Sequence, residues 1–223
     1  MVRFYFAGVT DCMSREDPYR IRILAVDDHP VLREGLSTMI SSQPDMALVA
    51  EAESGEQAIA LYGEWRPDIT LMDLRLTDMS GIDAIRQIRA SHPVARFIVL
   101  TTYLGDVQAL RALKAGAMGY LLKASLRRDL LDTIRAVYSG HRRVPAEVAS
   151  EIAQHAMDDE LSQREIELLK QVAAGCSNKV ASERMLICED TVKGHMRNIL
   201  SKLNANDRTH AVTIALRRGY FDL

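Results

Sequence analysis

The first part of the chain alternates short apolar runs with segments in which apolar residues recur at helical spacing. Runs without polar alternation, such as ITLMDL and FIVLTT, are typical of strands that are buried on both faces. The predicted strands cover residues 21–26, 47–52, 68–74, 96–102 and 119–123. The predicted helices between and after them cover residues 30–41, 55–65, 81–91, 106–116 and 126–138. Five strand and helix pairs in this order predict an α/β doubly wound, five-stranded parallel sheet.

From Leu161 onward the pattern predicts helices alone. Ser162 and Glu165 have the spacing of a capping box, which opens the first of these helices. Two more helices are predicted over residues 178–185 and 189–203, with a short turn between them. The end of the chain is therefore expected to be an all-α domain.

The helix predicted over residues 189–203 has one apolar face and one polar face. Its apolar stripe consists of Val192, Met196, Ile199, Leu200 and Leu203. Its polar face carries Lys193, Gly194, Arg197, Asn198 and Ser201. A short helix, a tight turn and a second helix of this kind are typical of a helix-turn-helix that reads the DNA major groove. An ordinary amphipathic surface helix would show the same two faces.

These patterns divide the chain into four segments. We expect a disordered N-terminal extension over residues 1–19, a first domain over 20–138, a linker with a short helix over 139–160 and a helix-turn-helix domain over 161–223. The last segment holds 10 Lys/Arg against 7 Asp/Glu, whereas the rest of the chain holds 18 against 23. A mildly basic C-terminal segment is compatible with nucleic acid, although solvated surface charge would give the same balance.

Cysteine usage and hydropathy indicate the compartment. Cys12, Cys176 and Cys188 are odd in number and widely spaced, which argues against a disulfide framework or a zinc site. No stretch approaches the roughly 18 apolar residues of a membrane span, and the N-terminus lacks the features of a leader. We expect a cytoplasmic protein without a membrane segment.

Polar residues fall at the carboxyl ends of the predicted strands, which is the edge where sheets of this kind bind ligands. They are Asp27, Asp28, Asp73, Thr101 and Lys123. Three clustered carboxylates repel one another, and a hard divalent cation bound through oxygen is the usual remedy. We therefore expect Mg²⁺ as the cofactor. Together, the cation, a hydroxyl and an ammonium could hold the oxygens of an incoming phosphoryl group.

The segments VDDHP, LMDLRLTDMSG, VLTTY and GYLLKAS resemble the signature segments of bacterial two-component response-regulator receivers. The resemblance covers roughly residues 21–138 and implies the flavodoxin-like receiver fold. It makes Asp73 the phosphoacceptor and Asp28 a direct metal ligand. Asp27 would act partly through water, and the backbone carbonyl of Arg75 would complete the protein's share of the coordination.

The same resemblance assigns the phosphoryl-binding and switching roles. Thr101 would bond a phosphoryl oxygen, Lys123 would pair with it, and Tyr120 would change rotamer on activation. Two positions depart from the family pattern, because Thr77 and Ala124 stand where the family commonly has proline. The first departure is expected to loosen a loop, and the second removes the usual reason for a cis peptide after Lys123.

The segments LSQREIELLKQVAAGCSNK, EDTVKGHMRNILSKLNANDRTHAV and ALRRG resemble the LuxR-type helix-turn-helix of NarL/FixJ-type response regulators. This resemblance covers residues 161–219. It implies that Lys193, Gly194 and Arg197 face the bases, that Lys179 and Asn198 contact phosphate, and that a last helix over residues 208–216 helps two copies to pair. The scaffold helix departs from the family with VASERM, and Cys188 stands where a capping serine is usual, which is expected to cost about 1 kcal/mol of stability.

Three other functions fit the sequence less well than a phosphorylation-dependent, DNA-binding transcription regulator. A hydrolase of the haloacid dehalogenase type would show D-x-D at its nucleophile, but Arg75 stands two positions after Asp73. A quorum-sensing regulator would carry an aromatic ligand pocket before the helix-turn-helix, and this chain has a single Trp. A degenerate receiver would be expected to lack one of the five site residues, and all five are present in this sequence. We expect no enzymatic activity beyond self-catalysed phosphoryl transfer and autodephosphorylation. The expected partners are a sensor histidine kinase, promoter DNA and, when the chain is phosphorylated, a second copy of it.

Overall fold

The computed structural model describes residues 20–102, 105–155 and 158–221. The extension expected over residues 1–19 lies outside the described residues.

Five strands form one parallel sheet. They are β1 (Ile21–Val26), β2 (Met46–Ala52), β3 (Ile69–Asp73), β4 (Phe97–Thr101) and β5 (Ala117–Leu122). Their order across the sheet is β2-β1-β3-β4-β5, and each neighbouring pair is parallel. The chain leaves β1 toward β2 on one side and later returns to β3 on the other, so the switch point lies between β1 and β3. The predicted fold class is confirmed.

Helices cover both faces of the sheet. They are α1 (Pro30–Ser41), α2 (Gly55–Trp65), α3 (Gly81–Ser91), α4 (Asp106–Ala115) and α5 (Leu126–Tyr138). Successive residues of a strand point to opposite faces, so Ile23 packs with α1 and α5 while Leu24 packs with α2, α3 and α4. Both side chains are completely buried. The apolar runs of the sequence therefore contribute side chains to two cores, one on each face of the sheet.

The segment between the two domains packs against the edge of the sheet. The Arg143 amide donates to the Met118 carbonyl and the Tyr120 amide donates to the Arg143 carbonyl, each at 2.9 Å, which forms a bridge beside β5. Helix α6 (Ala146–Gln154) follows and packs against α4. Val148 of α6 is completely buried in the core that α4 helps to form. This part of the chain is thus held against the first domain.

Four helices complete the described chain, and they pack around an apolar core that also includes Val107 of α4. They are α7 (Gln163–Ala173), α8 (Asn178–Met185), α9 (Glu189–Lys202) and α10 (Arg208–Arg218). Leu168, Val192 and Ile199 are completely buried in this core. The turn between α8 and α9 places Leu186 in the left-handed region, with φ of 54°. The cap of α9 is Cys188, whose side chain makes no capping hydrogen bond.

The structure differs from the sequence prediction at a few element ends. Strand β5 begins at Ala117 because that residue pairs with Phe97 of β4, a tertiary interaction that outweighs the weak strand preference of alanine. Helix α10 continues to Arg218 and ends at Gly219, whose φ is 74°. The peptide bond after Lys123 is trans, as are the other described peptide bonds. Within the described part of the chain, no helix is long and apolar enough to cross a membrane.

The predicted capping box at the start of α7 is present and is tied to α9. Glu165 accepts from the Ser162 amide at 2.7 Å, and Lys202 Nζ lies 2.9 Å from Glu165 Oε2. Burial alone would raise the pKa of Glu165, but the hydrogen bond from Ser162 and the Lys202 ammonium hold it below its usual value. The ionised form of Glu165 therefore stabilises the folded domain.

Replacing the Glu165 carboxylate should lower the free energy of unfolding by an amount that depends on pH. We expect Glu165→Gln to lower the free energy of unfolding by about 1 kcal/mol at neutral pH. Because the folded pKa lies below the unfolded one, the advantage of wild type should shrink as the pH falls below about 4. Urea unfolding at several pH values measures this, with Glu167→Gln, which removes an exposed pair with Arg164, as the control. A difference between wild type and Glu165→Gln that stays constant with pH would contradict the assignment.

Candidate functional site

Two buried carboxylates meet at the carboxyl ends of β1 and β3. Asp27 directly follows β1 and Asp73 ends β3, and their side chains are 0% and 3% exposed. Lys123 directly follows β5 and places Nζ 2.7 Å from Asp27 Oδ2 and 2.6 Å from Asp73 Oδ2. One ammonium thus pairs with two carboxylates that would otherwise repel each other.

Burial and pairing act in opposite directions on the ionisation of this cluster. Burial raises the pKa of Asp73 above its usual value, and the hydrogen bond from Lys123 offsets only part of that effect. For Lys123, burial alone would lower the pKa, but the hydrogen bonds to Asp27 and Asp73 raise it. Lys123 is therefore held in its charged form, and the charge is available to an anion at this position.

Two further residues beside the pair add possible metal ligands. Ligand atoms of Asp27, Asp28, His29 and Asp73 all lie within 4.8 Å of one another. Nδ1 of His29 is 2.7 Å from Asp28 Oδ1 and 3.0 Å from Asp27 Oδ1. Three carboxylates against the single ammonium of Lys123 leave negative charge in excess, and oxygen donors of this kind suit a hard divalent cation. His29 is not among the predicted site residues, and its place directly after the two aspartates was the only signal for it.

Thr101 and Tyr120 are in contact beside the cluster. Thr101 ends β4 and is almost fully buried, and Tyr120 of β5 is completely buried. Their side chains share a hydrogen bond, and burial raises the pKa of Tyr120 to about 12. The two residues expected to act together in switching are therefore neighbours, with the tyrosine ring inside the core.

The loop after β3 is attached at two places. The Arg75 amide donates to Asp73 Oδ1 at 3.2 Å, which orients the carboxylate. The Asp78 carboxylate accepts from the amides of Gly55 and Glu56, each at 2.9 Å, at the start of α2. This second attachment holds the loop that Thr77, in place of the family's proline, was expected to loosen.

The polar face of α9 is open to solvent. Lys193, Arg197 and Asn198 are exposed there, and Lys179 is exposed on α8. Gly194 lies on the same face, and an added Cβ would meet no atom within 4 Å. The predicted DNA-contacting side chains are thus accessible in one helix-turn-helix unit.

Lys193 has acidic neighbours on its own helix. Its Nζ lies 3.1 Å from Asp190 Oδ1 and 3.6 Å from Glu189 Oε1, in exposed ion pairs. The i,i+3 and i,i+4 spacing of these residues is the sequence signal for such pairs. Lys193 must leave these pairs to contact DNA, whereas Arg197 has no ion pair among the described residues.

The fold and the charged cluster define a class of protein, a phosphoacceptor domain joined to a DNA-binding domain. Residues 23–135 match the family model for the response regulator receiver domain, and residues 159–215 match that for bacterial regulatory proteins of the luxR family. The chain belongs to the LuxR-type two-component response regulators, which are transcription regulators rather than enzymes. Proteins of this family work with histidine kinases and bind DNA.

Two relatives from Bacillus subtilis cover most of the chain. The transcriptional regulatory protein LiaR of Bacillus subtilis (strain 168) is 38% identical over 205 residues, which cover 88% of this chain and 97% of LiaR. The uncharacterized transcriptional regulatory protein YxjL of the same strain is 37% identical over 211 residues, which cover 90% of this chain and 97% of YxjL. The crystal structure of a LuxR-family response regulator from Aurantimonas sp. SI85-9A1 is 41% identical, covers 62% of this chain and 99% of its own, and superposes with a TM-score of 0.59.

The position of Asp73 depends on a glycine at the start of α3. A Cβ on Gly81 would collide with the Asp73 carbonyl oxygen and would lie 3.0 Å from Leu74 Cα. We expect Gly81→Ala to push the end of β3 away from α3 and to lower the free energy of unfolding by about 1–3 kcal/mol. Urea unfolding followed by circular dichroism measures this.

Gly63→Ala is the matched control, because its added methyl group inside α2 meets no atom within 4 Å. It should leave stability unchanged or raise it by up to about 1 kcal/mol. Equal stabilities of Gly81→Ala and wild type would refute the close contact between α3 and the phosphoacceptor strand.

Proposed function

We propose that Asp73 accepts a phosphoryl group from the phosphohistidine of a sensor histidine kinase, and that this controls DNA binding by the C-terminal domain. The observation that carries the proposal is the buried cluster in which Lys123 pairs with both Asp27 and Asp73. Membership of the response-regulator family supports it.

The chemistry at Asp73 is a simple displacement. A carboxylate oxygen of Asp73 attacks phosphorus, the bond between phosphorus and the kinase imidazole nitrogen breaks, and a mixed anhydride forms. Lys123, which lies 2.6 Å from Asp73 before transfer, then pairs with a phosphoryl oxygen, and the Thr101 hydroxyl donates to another. Hydrolysis of the anhydride by water returns the free carboxylate and inorganic phosphate.

Mg²⁺ is the proposed cofactor of this transfer. Asp28 and Asp73 would bind it directly, Asp27 partly through water, and the backbone carbonyl of Arg75 would complete the protein ligands. The close group of carboxylate oxygens and their uncompensated charge support this set. When bound, the cation neutralises the charge of the transferring group. Lys123 and the Arg75 amide each donate to the Asp73 carboxylate and so fix its orientation.

The C-terminal domain is proposed to read promoter DNA with α9. Lys193, Gly194 and Arg197 would face base edges, and Lys179 and Asn198 would contact phosphates; their exposure on one surface supports these roles. Because one small helix-turn-helix reads few bases, phosphorylation is proposed to favour a homodimer on paired half-sites. Such a protein would act in the cytoplasm.

The proposed domain boundaries are those predicted from the sequence. Residues 20–138 would form the receiver, 139–160 the linker and 161–223 the DNA-binding domain, after an extension over 1–19. The two cores that flank the sheet and the core of the last four helices support this division, and Val148 of the linker belongs to one of the sheet cores.

Labelling should depend on Asp73 and on the metal. Wild type incubated with acetyl phosphate and Mg²⁺ should gain one phosphoryl group by intact-mass measurement, and a chelator should prevent the gain. Asp73→Asn should gain none, because the attacking carboxylate is missing. Asp83→Asn, an exposed carboxylate on α3 outside the cluster, is the control and should be labelled like wild type. Undiminished labelling of Asp73→Asn would refute the assignment.

A salt titration should distinguish a side chain that contacts bases from one that contacts phosphate. On a duplex selected from a random pool by the phosphorylated protein, Arg197→Ala should lose about 1–3 kcal/mol and relax preference at one position. Lys179→Ala should weaken all sequences alike and make log affinity less steep in log salt by about one unit. Fluorescence anisotropy at several salt concentrations measures both, with Lys170→Ala on the exposed side of α7 as the control. If Arg197→Ala bound the selected and a scrambled duplex as wild type does, another surface must read the bases.

A further inference from the structure

The β3–α3 loop, residues 74–80, carries one of the proposed metal ligands. Arg75, whose backbone carbonyl is that ligand, is the second residue of the loop. At the base of the loop Arg75 forms a β-bridge with Ser80, and the Gly81 amide donates to the Leu74 carbonyl at 3.0 Å. These interactions close the loop at its base, so the position of its tip depends on other contacts.

The tip of the loop is attached to the start of α2 by a carboxylate. Asp78 Oδ1 accepts from the Gly55 amide and Asp78 Oδ2 accepts from the Glu56 amide, each at 2.9 Å. The small loss of hydration would raise the pKa of Asp78, but hydrogen bonds from these two amides outweigh it and lower the pKa. Asp78 is therefore ionised at neutral pH, and each of its oxygens is bonded to α2.

The next side chain packs at the same place. A Cβ added to Gly55 would collide with Met79 Cγ and would lie 2.7 Å from Met79 Sδ. Met79 also packs against the core on that face of the sheet. Asp78 itself is exposed, so replacing it leaves this packing in place and removes the two hydrogen bonds to α2.

The backbone between the carbonyl ligand and Asp78 has no built-in restraint. Thr77 leaves its own φ free, whereas a proline ring would fix φ near −65°. Asp78 follows Arg75 by three residues, and its two bonds to α2 restrain the segment that Thr77 leaves free. The attachment therefore limits how far the Arg75 carbonyl can move.

The two common divalent cations differ in how strictly they require such a restraint. Mg²⁺ demands a near-ideal octahedron with ligands at about 2.0–2.1 Å, so a carbonyl on a loose loop binds it poorly. Ca²⁺ accepts irregular geometry and ligands at about 2.3–2.6 Å, so it tolerates movement of one ligand better. A residue that fixes the loop should for this reason favour Mg²⁺ over Ca²⁺.

We propose that Asp78 is a positioning residue of the phosphorylation site, which fixes the β3–α3 loop on α2 and so holds the Arg75 carbonyl where Mg²⁺ requires it. Asp78 acts through the loop and does not touch the cation. This inference rests on the proposed function for the metal and its ligands, but the attachment of the loop to α2 does not.

The test measures Mg²⁺ and Ca²⁺ affinity of the full chain by isothermal titration calorimetry. Asp78→Ala should weaken Mg²⁺ binding by about 10- to 100-fold, the usual effect of losing a group that orients a metal ligand. Ca²⁺ binding should weaken by a clearly smaller factor. The loss of a negative charge alone would weaken both cations alike, so equal losses would overturn the positioning role, as would a wild-type affinity of Asp78→Ala for Mg²⁺.

Ser54→Ala is the matched control, because Ser54 caps the same end of α2 but lies outside the loop. Its Oγ accepts from the Gln57 amide at 3.2 Å, so this variant also removes a capping hydrogen bond there. Ser54→Ala should bind both cations as wild type does. If it lost as much Mg²⁺ affinity as Asp78→Ala, fraying of α2 would explain the effect and the proposal would fail.

A measurement without metal separates this proposal from the proposed function. In the metal-free protein, hydrogen exchange followed by NMR should be faster at the Gly81 amide in Asp78→Ala than in wild type and Ser54→Ala, because the loop base loosens with its tip. Unchanged exchange at Gly81 would show that Asp78 does not hold the loop. If wild type bound no Mg²⁺, the metal assignment and the role of Asp78 in Mg²⁺ binding would both be refuted, whereas faster exchange at Gly81 would still establish the attachment.

Discussion

Asp27 and Asp73 are buried carboxylates at the ends of neighbouring strands, and the single ammonium of Lys123 pairs with both. Removing one member of such a buried group leaves an uncompensated charge, which costs about 3–5 kcal/mol. The sheet order places the ends of β1 and β3 side by side, so the fold itself creates this concentration of charge. Any added phosphoryl group must enter an existing network and rearrange it, which is what makes the site suitable as a switch.

Two connections lead from this network toward the C-terminal domain. Thr101 ends β4, and the chain continues from it to Asp106 of α4. Tyr120, bonded to Thr101, also donates its amide to the Arg143 carbonyl in the segment before α6. Arg218 binds one carboxylate beyond each connection, Asp106 and Asp158. The two places therefore share one chemical feature, a basic group held between two carboxylates.

Much of the fold could be predicted from the sequence because its signals are local. Pro30 and Ser80 mark helix starts, and the uninterrupted apolar run of β3 marks a strand buried on both faces. The start of β5 could not be predicted in the same way, because its first residues are strand-like only through pairing with β4.

The site residues also differ in whether local sequence signals could predict them. Asp27, Asp73 and Lys123 could be proposed because strand ends of one sheet converge, and the structure does bring them together. The role of Asp78 at α2 and the pair of Arg218 with Asp106 could not be proposed, since they join residues 23 and 112 positions apart that share no pattern. Gly105 illustrates the same limit, because its backbone is ordinary and only the other domain explains it.

The central claim is that a phosphoryl group on Asp73 controls DNA binding by the C-terminal domain. Fluorescence anisotropy on a selected duplex with two half-sites tests it most directly, on wild type and Asp73→Asn with and without acetyl phosphate and Mg²⁺. The account predicts tighter binding after phosphorylation of wild type and no change for Asp73→Asn. Equal affinities of fully phosphorylated and untreated wild type would contradict the account.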